Sequence, residues 1–298
     1  NKLYTEYQSI VPSKALKYAK QALELSEKLG FQRGSASSYN NIGRAHFQNG
    51  KSNDALDNYL KALEIFNDIG FKKGSSIVLG NIGQLFYSQA NYPKTLEYYF
   101  QALAITNETN DEQRTASLLG NIGAVYYQQG YYAKALKYYL HSLTIREAIE
   151  DKQGIAYVLV NIGVIYDEQK NYSKSLEYYN KSLRINQETG DKKGIANVLS
   201  NIGETYNNLK EYVKALEYFQ KAFSIATELD YKQVMASSLN NIGDVYKKQN
   251  KYAKALEYYS KALFINQQTS DKAGITYSYH NLGDIYMKNG DFENALLY

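Results

Sequence analysis

The chain has 298 residues, 44% of them apolar and 21% charged, a formal net charge of +4 at pH 7, and no cysteine. Without cysteine there are no disulfides, thiolate metal sites or thiol redox chemistry, and so weak a charge with no Lys/Arg block gives no electrostatic case for a nucleic-acid partner. No run of 18 apolar residues occurs, and the first 30 residues lack a charged start followed by an apolar core, so neither a membrane-inserting span nor a signal peptide is read in this segment and the compartment stays open.

Residues 1–30 open with NKLYTEYQSI and continue into a predicted helix from about Pro12 to Leu29, where Ala15, Leu16, Ala19 and Leu23 fall at helical spacing and Pro12 takes a first-turn place. This stretch reads as a degenerate N-terminal capping half-repeat. From residue 31 the chain is periodic: Asn-Ile-Gly or Asn-Leu-Gly begins at Asn41, Asn81, Asn121, Asn161, Asn201, Asn241 and Asn281, with the same interval between each and the next. A period of roughly 40 residues, held without insertion, predicts an all-α solenoid whose copies bury their apolar faces against one another. Six full copies occupy 31–270 and a partial seventh occupies 271–298, closing on DFENALLY, the front of an unfinished second helix. The chain is therefore expected to be a piece of a longer protein.

Each copy predicts two helices. The first, such as Asp191 to Leu209, opens on Asp at 111, 151, 191 and 271, a residue that caps exposed backbone N–H groups, with Phe31, Phe71 and Tyr231 in its place elsewhere. The second, such as Glu211 to Thr227, follows a turn of two or three residues, which forces the pair antiparallel. Leu199, Ile202, Gly203 and Tyr206 make one apolar stripe and Tyr212, Ala215, Leu216, Phe219, Ala222 and Phe223 the matching one. Gly203 and its six equivalents each cost about 1 kcal/mol against Ala, which demands a tertiary reason. The small residues at Ala55, Ala135, Ser175, Ala215 and Ala255, and again at Ala62, Ser142 and Ala222, suggest close approach of small against small.

The pattern Leu199, Ile202, Gly203, Tyr206, then Ala215, Phe219 and Ala222, resembles the tetratricopeptide repeat, and the resemblance covers nearly all of 31–298. The chain departs from the family pattern in having no Trp, no Pro at the end of the second helix, and six added residues there. Copies lengthened in this way are similar to those of kinesin light chains, Pins-like polarity adaptors and the repeat regions of bacterial sensor kinases, cyclases and pheromone receptors. The resemblance implies a right-handed superhelical solenoid of antiparallel hairpins, with the first helices along a concave wall.

At 100° per residue, Asn201 points away from the stripe that faces its own second helix, close to Asn197, Glu204 and Asn208. On the family fold the seven Asn would then form a ladder along the concave wall. Asn costs roughly 0.5–0.7 kcal/mol against Ala in a helix interior, so each must repay through its amide. A donor–acceptor pair can hold the C=O and N–H of an extended peptide, and in peptide-binding members of the resembled family Asn in this place contacts ligand backbone. The amide can equally bond a neighbouring helix and set the stacking angle. Around the ladder lie Arg44, Gln84, Tyr157, Glu204, Asp244 and Asp284 as further candidates; Asp244 with Lys248 and Asp284 with Lys288 form i, i+4 pairs that can satisfy each other.

The 32 Tyr, many in adjacent pairs such as Tyr138–Tyr139, lack the clustered cations of a base-stacking surface and read as packing residues. His46, His141 and His280 sit at unrelated places in the unit, and Asp167–Glu168 reads as a solvated edge. No motif for a hydrolase, a nucleotide or a metal is present, so no catalytic residue, cofactor or metal is expected. The expectation is a non-enzymatic scaffold that binds a protein or peptide, as the recognition or sensory region of a larger signalling protein. The competing reading is a scaffold that self-associates end to end.

Overall fold

A computed structural model describes residues 12–298; residues 1–11, the front of the expected capping half-repeat, lie outside the described residues. The chain divides into two compact units, 1–150 and 151–298. The first holds α1 (Pro12–Lys28), α2 (Gln32–Gln48), α3 (Ser52–Asp68), α4 (Lys72–Ser88), α5 (Tyr92–Glu108), α6 (Glu112–Gln128) and α7 (Tyr132–Ala148). The second holds α8 (Lys152–Glu168), α9 (Tyr172–Thr189), α10 (Lys192–Asn208), α11 (Tyr212–Glu228), α12 (Lys232–Lys248), α13 (Tyr252–Thr269), α14 (Lys272–Lys288) and α15 (Phe292–Ala295). Within each unit consecutive helices pack as antiparallel hairpins, and no strand occurs among the described residues.

Helix length is fixed at both ends. Asp111, Asp151, Asp191 and Asp271 each accept a hydrogen bond from the backbone N–H three residues on, as the cap reading predicts. Asn91 and Asn171 do the same for α5 and α9, second helices for which no cap was foreseen. At the other end the residue two past α4 and two past α6, Ala90 and Gly130, adopts φ of 54° and 75°, and the same left-handed turn recurs after each helix from Gly30 to Gly290. It lets the next N–H reach back to a carbonyl five residues earlier, as Phe71 to Phe66 at 2.8 Å and Tyr131 to Tyr126 at 2.9 Å, which ends the helix.

The mid-helix glycines have a tertiary reason that differs from small against small. A Cβ on Gly83 would stand 2.5 Å from the ring of Tyr99, and one on Gly203 would stand 2.7 Å from the ring of Phe219. The second helix thus lays an aromatic ring on the bare backbone of the first, and the small residues Ala55, Ala102, Ala215 and Ala222 flank that contact, fully buried. The other side of the same ring meets the following repeat. In the first unit Tyr99 packs on Leu118, Ile122 and Val125; in the second, Phe219 packs on Ile242 and Val245, and Tyr259 on Leu282 and Ile285. One ring therefore joins two hairpins.

The neighbouring Tyr of each pair, read as a packing residue, has its own partner. Tyr138 stacks on Tyr126 with ring centroids 5.4 Å apart, Tyr178 on Tyr166 at 5.5 Å, and Tyr218 on Tyr206 at 5.4 Å. Lys134, Lys174 and Lys214 lie over the first-helix rings at 5.0–5.3 Å, so each stack is closed by a cation. These aromatic sandwiches absorb much of the tyrosine.

Two outcomes follow from this packing. Gly203→Ala gains about 1 kcal/mol of helix propensity but overpacks the fully buried Phe219 ring, so chemical denaturation is expected to show a net loss of about 1–2 kcal/mol, reduced in a Phe219→Leu background. Ser175 is 0% exposed with a hydroxyl that finds no partner, in a place where the other repeats carry Ala except for Thr95, so Ser175→Ala is expected to stabilise the protein by about 0.5–1 kcal/mol in the same measurement.

Candidate functional site

Within each unit the first helices of successive repeats stand side by side and bond to one another through side chains. In the second unit Asp167 on α8 accepts from Thr205 Oγ1 (2.7 Å) and Asn208 Nδ2 (3.0 Å) on α10. Between α12 and α14, Lys247 donates to Asn281 at 2.9 Å and pairs with Asp284 at 2.6 Å, while the Tyr277 hydroxyl donates to Asp244 at 2.6 Å. In the first unit Asn81 Nδ2 on α4 donates to Asn40 Oδ1 on α2 at 2.7 Å. Asp167 is therefore an inter-repeat acceptor and not a solvated edge.

The seven Asn do not share one environment. Asn81 is committed to Asn40, Asn161 donates to the Tyr157 carbonyl in its own helix, and Asn281, buried, is held by Lys247 and by the Tyr277 carbonyl. Asn41 is buried. Asn121 is exposed and Asn201 and Asn241 are half-buried, and the amides of these three make no side-chain hydrogen bond with any described residue. The tertiary rationale foreseen as the alternative thus covers some rungs, and open amides remain at others.

Of the flanking candidates, Arg44 is half-buried, and Gln84 is exposed and accepts from the Tyr99 hydroxyl at 3.2 Å. Tyr157 lies open on α8. Asp284 keeps its i, i+4 bond to Lys288 at 3.1 Å and adds Lys247; the hydrogen bond from Lys247 is the main reason its carboxyl is held below the usual range. Asp244 and Lys248 do not pair. Both oxygens of Asp244 are taken by hydroxyls, Tyr259 at 2.5 Å and Tyr277 at 2.6 Å, and burial first and Asp244 second push both phenols up. Glu204 has no ion pair or hydrogen bond among the described residues. Glu204 is exposed at the surface, and partial desolvation, then Asp167, Asp244 and Glu168, push its carboxyl up against a smaller opposing effect of Lys248.

Two open depressions touch this face: one of about 290 Å³ in the first unit over Lys73, Asp111, Gln113, Arg114 and Ser117, and one of about 610 Å³ in the second over Lys272, Thr276, Tyr277 and His280. An apolar cleft of about 620 Å³ lined by Phe223, Met235 and Phe264 is made chiefly by second helices and contains none of the candidate residues. No group of three or more His, Cys, Asp or Glu among the described residues could hold a metal, and no helix among them is long and apolar enough to cross a membrane.

The site residues missed from sequence, Asp167, Asn207 and Lys247, share the sixth place after the repeat Asn. That place is aromatic at Phe47, Tyr87 and Tyr127, polar at Asp167, Asn207 and Lys247, and apolar again at Met287. The change of character in one register position was the available signal.

Antiparallel hairpins in a fixed register, joined through rings on glycine, define a helical repeat protein. Tetratricopeptide repeat profiles match residues 12–68, 34–108, 74–148, 114–188, 194–268 and 276–298, and the chain belongs to the tetratricopeptide repeat family. Among solved structures it is similar to the apo form of the quorum sensor NprR from B. thuringiensis, with 17% identity and a TM-score of 0.76 over 99% of this chain and 84% of that one. The tetratricopeptide repeat sensor protein PH0952 from Pyrococcus horikoshii, a signal transduction ATPase with numerous domains, matches with 20% identity and a TM-score of 0.74 over 99% of this chain and 45% of that one. A Rap protein complexed with Competence and Sporulation Factor matches with 16% identity and a TM-score of 0.60 over 88% and 77% of the two chains. At such identities the likeness speaks for the fold. No curated protein sequence matches the chain significantly.

Because the folded state holds the Glu204 carboxyl above its unfolded value, the protonated form favours folding, and that contribution is lost as pH rises through the raised value. Glu204→Gln is therefore expected to melt higher than the parent at pH 7, the difference closing below about pH 4, where Glu is protonated in the unfolded chain as well. Thermal melts across pH read this directly.

Proposed function

We propose that the first-helix face binds an extended segment of another polypeptide and that the protein is a non-enzymatic interaction scaffold, serving as the recognition region of a larger signalling protein. The observation that carries this reading is the state of Asn201 and Asn241. These residues lower helix propensity by roughly 0.5–0.7 kcal/mol each, are half-buried on adjacent first helices, and make no side-chain hydrogen bond among the described residues. An amide in that state has a donor and an acceptor to offer a passing main chain, whatever its sequence. The amides already bonded to a neighbouring repeat or to their own helix, Asn81, Asn161 and Asn281, hold the helices that present the open ones. In the first unit Asn121 has the same open character, with Arg44 and Gln84 on the same face as candidate specificity residues.

The sensor and quorum-sensor neighbours support this reading, as does the Rap protein seen together with Competence and Sporulation Factor. The fold supplies side-by-side helices with variable residues at fixed places, a surface for recognition.

A random heptapeptide library displayed on phage, panned against the whole chain, tests the proposal. Clones are expected to enrich, to lose at least about tenfold in affinity for the Asn201→Ala/Asn241→Ala protein, and to leave its melting temperature equal or higher. Asn81→Ala, which breaks a bond between repeats, is expected instead to cost about 1 kcal/mol of stability. No enrichment, or a double variant that unfolds while Asn81→Ala does not, would overturn the reading.

A further inference from the structure

Three copies of the repeat carry an ion pair from the first residue of a first helix to the end of the second helix that follows it: Lys72 with Glu108, Lys152 with Glu188 at 3.4 Å, and Lys192 with Glu228. In the copy that runs from Lys232 to Gln268 a neutral amide stands in place of the acid. Lys232 makes no ion pair or side-chain hydrogen bond among the described residues, and it is half-buried where Lys72, Lys152 and Lys192 are exposed. It lines the apolar cleft of about 620 Å³ whose walls are Phe223 on α11, Met235 and the buried Leu239 on α12, and Phe264 on α13.

Phe264 is a second departure at the same spot. Its equivalents are Glu64, Ala104, Thr144, Arg184 and Ser224, and its ring is 62% exposed, so the copy that loses a carboxylate also gains a large apolar side chain that stays in water. The other charges in the lining do not serve Lys232: Lys261 is committed to Glu257 at 2.5 Å, and Asp230 stands in no ion pair among the described residues. The exposed places one turn earlier on α9, α11 and α13 are the polar Asn180, Gln220 and Ser260, flanked by the pairs Glu177–Lys181, Glu217–Lys221 and Glu257–Lys261. The apolar surface here is therefore the cleft itself and not a broad face of the roughly 800 Å² that a stable protein interface takes from each side. A volume of about 620 Å³ is instead that of a small-molecule site.

We infer that the cleft binds a small amphiphile, an apolar chain ending in a carboxylate. The head group takes the place of the missing Glu beside Lys232, in the charge-assisted contact that the other copies make within the chain. The chain lies between Phe223, Met235 and Phe264, where two rings and a flexible thioether adapt to its shape. Asp230 opposes the head group, so most of the affinity comes from the apolar body and the choice of head from Lys232. The cleft shares no residue with the first-helix candidates and stands whether or not that face binds a polypeptide.

Isothermal titration of the whole chain with decanoate, decan-1-ol and acetate separates head from tail. Decanoate is expected to bind at one site per chain, about tenfold more tightly than decan-1-ol, and acetate to show no binding. Phe264→Ser, which installs the residue of the preceding copy, is expected to weaken decanoate and decan-1-ol alike by about fivefold or more. Gln268→Glu restores the acid that Lys232 lacks and is expected to remove the advantage of decanoate over decan-1-ol, as is Lys232→Gln, which adds no charge. Decanoate bound no better than decan-1-ol, an advantage that survives either of those two variants, binding untouched by Phe264→Ser, or no binding at all would each overturn the inference. So would a dimer in sedimentation velocity that Phe264→Ser disperses and decanoate does not, because a second copy would then be the occupant.

Discussion

A ring seated against a glycine is the contact on which the hairpins from Gly43 to Gly243 depend. It requires two residues at once, a first helix without a side chain at one point and a second helix with an aromatic there, and neither Gly43 with Tyr59 nor Gly163 with Tyr179 tolerates an added carbon between them. Because the far side of Tyr99, Tyr179 and Phe219 meets the Ile and Val of the following first helix in the same unit, each of these residues closes one hairpin and seats the next. Burial of an entire Tyr or Phe, on the order of 2–3 kcal/mol, outweighs the roughly 1 kcal/mol that the glycine costs its helix. The adjacent stack of half-buried Tyr under lysine covers the hairpin's outer edge.

With the apolar business of each first helix turned toward its second helix, the opposite residues are released from packing. They settle into bonds between neighbouring first helices where they can, as Asn81 with Asn40 or Lys247 with Asp284, and stay open where they cannot. In the second unit the balance is uneven. Beyond desolvation, Asp167, Asp244 and Glu168 act on the Glu204 carboxyl against a smaller effect of Lys248, and that excess of negative charge is a property of the particular residues and not of the fold, since the places equivalent to Glu204 in the first unit hold Arg44, Gln84 and Ala124.

The helices, their antiparallel pairing and the Asp caps were legible in the sequence because each rests on local periodicity. Gly203 was legible as a puzzle, but its solution lies on the following helix in Phe219, and a helical wheel for one helix does not show which residue of another stands above it. The Asn rungs were legible as a row. What could not be read was which amides are spent, because that depends on neighbours in another repeat: Asn40 beneath Asn81, or Lys247 beside Asn281. The i, i+4 reading of Asp244 failed for the same reason, since two phenols from other helices outcompete a lysine on its own helix.

The left-handed residue that closes helix after helix is glycine at Gly50, Gly70 and Gly130 but Ala90, Lys170, Lys210 and Asp230 elsewhere. Holding a side chain in that conformation costs of order 1 kcal/mol, and the chain accepts it repeatedly. The geometry of the joint is therefore dictated by the helices it separates and not by the residue that occupies it. Equivalent joints are in that sense interchangeable, so a segment cut at one and rejoined at the matching joint of another copy keeps every ring above its glycine. A gene built this way can grow or shed whole copies by recombination without a compensating mutation, and the number of rungs offered to a partner becomes the easiest trait for selection to alter.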